Sequence, residues 1–225
     1  FNSTGAAMYI GSGASLQCSG NLSINRTGAG FTSAFYAGAT IGGDFWYNNQ
    51  TAGNTYLGSL NNKTSVAGKL YISALYTIPN VFEMLNLENK TNGGFVSLHN
   101  TLGFNFQKDT LLLSDFIITG YGGNEYGRLL NNDISANVTV VADASYSNGF
   151  ATYIRNNKFT GNCQFTSNGT NPFYEADIAS SANKYYGNLD MVAAGAADIY
   201  IAFQDTLWCS GNFSISRSTA GNIIA

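Results

Sequence analysis

A Ser-His-Asp hydrolase passes its proton through a histidine, and this chain carries one, His99, in the run Val96-Ser97-Leu98-His99-Asn100. No G-x-S-x-G elbow supplies a nucleophile, so His99 is expected to be a lone exposed residue near the end of a strand. Glycoside cleavage needs two carboxyls about 5 to 10 Å apart. The 13 acids are instead scattered. Asp44, Asp115 and Asp190 stand near strand starts, Glu83 and Glu175 in apolar runs, and Asp109 and Asp205 at turns. Asp44 and Asp190 are read as sharing one phase, six coils apart. The expectation is a protein with no catalytic residues and no cofactor.

Metal chemistry has no better footing. Calcium-binding solenoids carry G-G-x-G-x-D nonapeptides, which are absent, and Gly93-Gly94 and Gly122-Gly123-Asn124 read as tight corners. Three cysteines, Cys18, Cys163 and Cys209, lack C-x-x-C spacing, which argues against a zinc site and a disulfide framework. Tyr121, Tyr126, Tyr146, Tyr185 and Tyr186 could stack on sugars, but aromatics recurring in a short repeat more simply form ladders along a face. The N-x-S/T triplets at Asn21, Asn89 and Asn168 are expected in a chain so rich in Asn and Thr.

The elements that must position these groups come from an unusual composition. Of 225 residues, 44% are apolar and only 10% charged, with 26 Gly and 2 Pro. The apolar residues are spread evenly, which excludes disorder, while amides and hydroxyls must form most of the polar surface. A net charge of −3 without a basic cluster excludes nucleic acid and anionic membrane as partners. No apolar run approaches the ~20 residues of a spanning helix, so no membrane insertion is expected. The start, Phe1-Asn2-Ser3, resembles neither an initiator nor a signal peptide, and the chain is expected to be an internal piece of a longer protein.

Self-similarity is the main signal. Leu16-Gln-Cys-Ser-Gly-Asn-Leu-Ser-Ile-Asn-Arg26 returns as Leu207-Trp-Cys-Ser-Gly-Asn-Phe-Ser-Ile-Ser-Arg217, and without gaps residues 1–34 match 192–225 at an offset of 191 residues. Inside this unit a shorter one opens on a small residue and an alternating run. It begins Gly20-Asn-Leu22, Gly43-Asp-Phe45, Gly68-Lys-Leu70, Gly93-Gly-Phe95, Ser114-Asp-Phe116, Ala136-Asn-Val138, Gly161-Asn-Cys163, Gly187-Asn-Leu189 and Gly211-Asn-Phe213. These openings lie 21 to 26 residues apart. Second apolar runs follow, as at Phe35-Tyr36, Phe104-Phe106 and Tyr153-Ile154. Amide corners come next, at Leu60-Asn61-Asn62, Leu130-Asn131-Asn132 and Arg155-Asn156-Asn157. Gly and Asn suit corners because they tolerate left-handed backbone.

The expected fold is all-β: one parallel β-solenoid (β-helix) over residues 1–225, with about nine coils of 21–26 residues, three faces per coil and right-handed crossovers. A β-sandwich does not hold a period near 24 throughout, and a propeller blade needs about 40 residues. Coils ~4.8 Å apart give a rod of roughly 43 Å and set Cys18 nearly 40 Å from Cys209, too far for a bridge. Neither end shows a polar cap, so more coils are expected to flank this segment.

The S/T-G-N openings, Arg26-Thr-Gly-Ala-Gly30, Gly103-Phe-Asn-Phe-Gln-Lys-Asp-Thr-Leu111, Phe116-Ile-Ile-Thr-Gly-Tyr121 and Ala142-Asp-Ala-Ser-Tyr146 resemble the giant repetitive cell-surface gliding adhesins of Bacteroidetes. The resemblance covers essentially the whole chain. It implies an extracellular filament at the cell outer surface, exported by type IX secretion and moved by a motor, with no catalytic residues to transfer. Its expected partners are adjacent solenoid repeats of the same chain, extracellular polysaccharide or a solid surface, and the secretion and gliding machinery. Asp109-Thr110-Leu111 and Asp205-Thr206-Leu207 fit an O-glycosylation pattern of exported proteins in that phylum, with Thr110 and Thr206 as acceptors. The expected function is an adhesive stalk in attachment and gliding. The alternatives are a polysaccharide-degrading or polysaccharide-binding β-helix and a purely structural sheath.

Overall fold

Strict alternation of apolar and polar residues gives each short strand one side to bury, and a single coil cannot cover that side alone. Stacking coil on coil covers it. This is the arrangement in the structure, a computed structural model that describes residues 1–5, 7–121, 126–143, 151–170, 172–202, 204–218 and 221–225, without the side chains of Ile78, Pro79 and Tyr121. Gly122-Gly123-Asn124, Tyr146 and the Tyr121 side chain therefore lie outside the described residues.

The chain is an all-β parallel solenoid with three faces, and no helix occurs among the described residues. Face A runs from Leu22–Arg26 through Phe45–Asn49 and the first half of Leu70–Leu85 and of Gly94–Gln107. It continues through the second half of Thr110–Tyr121 and of Asp133–Ala142 to Cys163–Ser167, Leu189–Ala193 and Phe213–Arg217. Each strand pairs in parallel with the one a turn later. Eight turns thus separate Leu22–Arg26 from Phe213–Arg217. Face B includes Thr32–Ala34, Thr55–Gly58, Gly127–Leu130, Thr152–Arg155, Phe173–Glu175 and Ile199–Ile201. Face C includes Ala39–Ile41, Thr64–Val66, Leu87–Asn89, Lys158–Phe159 and Asn183–Tyr185. Inward residues form one continuous apolar cluster from Ile10 to Ile201.

Paired residues lie 20 apart at Phe95 and Asp115 and 26 apart at Cys163 and Leu189, so the lower limit is one residue shorter than the sequence spacing suggests. The difference arises at one coil. Spacing opens that run on Phe95, in phase with Leu70 and Phe116, but in the structure Gly94 pairs with Leu70, and Phe95 with Tyr71 and Asp115. Phe95 therefore points outward, while Val96 and Leu98 fill the core. A one-residue slip exchanges the two sides of a strand. Gly94 permits it, with φ +83° and no Cβ, which would sit 2.1 Å from the Leu70 carbonyl oxygen.

The corner between faces B and C is left-handed in turn after turn: Gly11, Phe35, Gly58, Asn86, Lys108, Asn131, Asn156, Ala176 and Ala202 all have positive φ. The amide corners at Asn131 and Asn156 behave as the sequence leads one to expect. Phe35, Lys108 and the two alanines show that the stack imposes this conformation on side chains that do not prefer it. Lys108 is exposed, with φ +60°. Lys108→Gly should therefore stabilise the fold by about 0.5–1 kcal/mol, read as a higher urea midpoint with an unchanged m-value.

Candidate functional site

The double asparagines divide their work. At Asn131-Asn132 and Asn156-Asn157 the first residue makes the left-handed turn, and the second turns inward and is buried. There the side-chain oxygen of one coil accepts the backbone N–H of the coil before it. Asp109 Oδ1 takes Leu87 N at 2.7 Å, Asn132 takes Asp109 N at 2.9 Å, Asn157 takes Asn132 N at 3.0 Å, and Asn183 takes Asn157 N at 2.8 Å. The Nδ2 groups of Asn132, Asn157 and Asn183 donate to the carbonyls of Phe106, Leu129 and Ile154. Corner amides that no strand partner reaches are thereby satisfied in the interior.

A second ladder, at the corner entering face A, lies at the surface. Asn21 accepts Asp44 N, Asp44 accepts Lys69 N, and farther along Asn137, Asn162 and Asn188 accept the amides of Asn162, Asn188 and Asn212. Asp44 is thus a corner cap. Asp190 lies within Leu189–Ala193, paired with Gln164, so the two acids do not share a phase.

The inner ladder ends on Glu175. This residue occupies an inward position in face B, stacked between Ile154 and Ile201, with 0% exposure. Asn183 Nδ2 donates to one carboxyl oxygen at 2.8 Å and Ala202 N to the other at 3.1 Å. Burial pushes its pKa up to about 7, opposed by those two donors, while Asp177 and Asp205 add to the rise. Burial likewise holds the Asp109 carboxyl well above the usual range. The acids are therefore less scattered than they look in sequence, because the fold gathers Glu175, Asp177 and Asp205 closely enough to feel one another. Each is nevertheless engaged separately, Glu175 by Asn183 and Ala202 in the interior. Asp177 is gripped by Arg155 at 2.6 and 2.8 Å, and Asp205 accepts Ser181 N and Thr206 N.

His99 is half-buried rather than exposed. Ser97 Oγ lies 3.0 Å from Nε2, and Thr119 Oγ1 lies 2.5 Å from Nδ1. A hydroxyl occupies the place of the orienting carboxylate, and Ser97 itself sits mid-strand, paired with Ser73 on one side and Ile117 on the other, rather than on a turn that would present it as a nucleophile. The cysteines are all free, and burial pushes the Cys163 thiol up. Among the described residues no group of three or more His, Cys, Asp or Glu could hold a metal ion.

Tyr185, expected at the surface, is fully buried and stacked on Phe159 at 5.1 Å, because its neighbours in the adjacent turns, Phe159 and Cys209, also face inward. Tyr126 and Tyr186 are exposed. On the outside of face B, Tyr153, Tyr174 and Tyr200 stack at 5.3 and 4.4 Å, each pair 14° from parallel, with the Arg155 guanidinium 4.4 Å from the Tyr153 ring. Their faces are occupied by one another, which is the ladder arrangement. Thr110 and Thr206 are both exposed, but in different settings: the adjoining Asp109 is buried in the inner ladder, whereas Asp205 caps a surface loop.

Comparison with protein-family models, with curated proteins and with solved structures finds no match for the chain.

Asn157→Ala should cost about 2–4 kcal/mol, because it strands the Asn132 amide and the Leu129 carbonyl in the interior, read as a drop in melting temperature without loss of cooperativity. Glu175 imposes a pH dependence of definite sign. Its folded pKa near 7 exceeds the ordinary 4.5, so the unfolded chain ionises first and stability falls as pH rises between those values. The loss is at most about 3 kcal/mol. Glu175→Gln should flatten this dependence and raise the melting temperature at pH 8 relative to the parent.

Proposed function

We propose that the chain is an adhesive stalk segment of a secreted filament at the outer cell surface, acting in attachment and gliding. The supporting observation is the unbroken stack. Parallel pairing runs on face A from Leu22–Arg26 to Phe213–Arg217, over one continuous core. Stretching such a rod loads the hydrogen bonds of three faces, the corner ladders and the core in every turn together. The resemblance to the giant gliding adhesins supports the same reading, with neighbouring repeats, the secretion and gliding machinery, and polysaccharide or a solid surface as partners.

A polysaccharide-degrading solenoid would need two carboxyls facing one solvent groove. The acids gathered by the fold are instead buried, paired with arginine or capping backbone, so the stalk is the better reading.

A fluorescent antibody against this segment, applied to living cells that produce it and filmed on glass, should give spots that travel along the cell surface. Static spots, or label that reaches only permeabilised cells, would overturn the proposal.

A further inference from the structure

The outer corner ladder changes character at Lys69. Asn21 Oδ1 accepts Asp44 N and Asp44 Oδ1 accepts Lys69 N, each at 2.8 Å. Leu70 pairs with Gly94, so the next amide in this column is that of Gly93. A lysine side chain carries no acceptor. Gly93 N donates instead to Asn92 Oδ1, the side chain of its own neighbour, at 2.8 Å.

That contact sets a backbone nitrogen alongside the amide carbon to which Oδ1 is bonded, the arrangement from which a five-membered ring closes. Asn92 is exposed and lies outside the strands, in the bend that precedes Gly94–Gln107. Gly93 has φ +101° and no side chain to hinder the approach. The Lys69 side chain runs beside it, since a Cβ on Gly93 would lie 3.3 Å from Lys69 Cε and 3.6 Å from Nζ. Positive charge there favours loss of the Gly93 amide proton and, later, a carboxylate in place of the Asn92 amide.

The sequence holds the same dipeptide at Asn168-Gly169 and at Asn148-Gly149, the latter outside the described residues. Asn168-Gly169 is held from both sides. Asn168 N donates to Ala142 O at 3.0 Å, and a Cβ on Gly195, one turn on, would lie 2.2 Å from Gly169 O and 2.5 Å from Asn168 O. Gly169 is buried. Ring closure there would have to turn a backbone that both neighbouring coils hold in place.

We propose that Asn92 is a site of spontaneous deamidation and isoaspartate formation in the folded chain. Gly93 N bonds to Asn92 Cγ while its proton passes through water to Nδ2, the Cγ–Nδ2 bond breaks, and ammonia leaves. Water then adds to one of the two ring carbonyls. The products are aspartate and isoaspartate, in which the main chain runs through the former side chain. Both place a negative charge beside Lys69, and isoaspartate adds a methylene to the main chain at a corner. The site stands independently of the stalk reading, since it concerns the purified chain alone.

The test is to hold the whole chain for several weeks in neutral buffer, natively and in urea, and then to digest it with trypsin. Cleavage after Lys and Arg separates the three Asn-Gly pairs into peptides 91–108, 129–155 and 159–184, and electron-transfer fragmentation distinguishes isoaspartate from aspartate in each. In urea Asn92 and Asn168 should react at similar rates. In the native chain Asn92 should keep its rate, while Asn168 should fall at least about tenfold below it. Lys69→Asn restores a side-chain acceptor to the column and removes the ammonium, and should slow native Asn92 at least about threefold without changing its rate in urea. Native Asn92 reacting as slowly as native Asn168 would overturn the proposal, as would an undiminished native rate in Lys69→Asn.

Discussion

Everything in this molecule depends on one constraint: the chain must turn a corner three times per coil without leaving a buried backbone group unpaired. Strands solve the problem along the faces, where each residue pairs with its neighbour one turn away. At the corners this pairing is incomplete: Lys108 N and Asn131 N still reach backbone carbonyls one turn away, but the amides of Asp109, Asn132 and Asn157 beside the left-handed residues are taken by side chains, and the interior offers no water. Asp109, Asn132, Asn157 and Asn183 resolve it by extending the turn-to-turn hydrogen bonding through side chains, so the ladder continues where the backbone bends. An asparagine suits the role because it is both acceptor and donor, and can take an amide from one coil while giving one to a carbonyl. A carboxylate can only accept unless it is protonated. Asp109 and Glu175 are therefore the places where the ladder becomes sensitive to pH.

The same constraint governs what chemistry the rod can host. Backbone amides along the faces are engaged by adjacent turns, so any active centre would have to be built from side chains that project outward. His99 illustrates the consequence, since both of its ring nitrogens are met by outward hydroxyls, Ser97 on its own strand and Thr119 one turn away. Outward side chains repeat at the spacing of the turns, which favours stacks such as Tyr153, Tyr174 and Tyr200 over convergent sites. One concave site arises where a corner departs from the repeat. The excursion after Gly58, in which Ser59 and Asn62 bridge each other, does this beside Tyr36 and Tyr56.

Sequence by itself determined the architecture, because the period of about 24 residues, the alternation within each run and the placement of Gly and Asn are all local and repeated. A repeat read nine times outweighs an error in any one copy. Even the paired asparagines at Asn131-Asn132 and Asn156-Asn157 were visible as corners. Tertiary structure alone decided three things. It set the register of the Gly94 coil, where two glycines in a row left the phase open and a slip of one residue turned Phe95 outward and Val96 inward. It buried Tyr185, a ring that could have stood at the surface, between Phe159 and Cys209, and Glu175 between Ile154 and Ile201. It also decided which aromatics stack, because Tyr56 and Tyr153 share one phase on the outside of face B, but Tyr56 has Ser33 and Glu83 in the adjacent turns where Tyr153 has Tyr174. Burial and stacking are properties of neighbours about 24 residues distant, and no local window of sequence contains them.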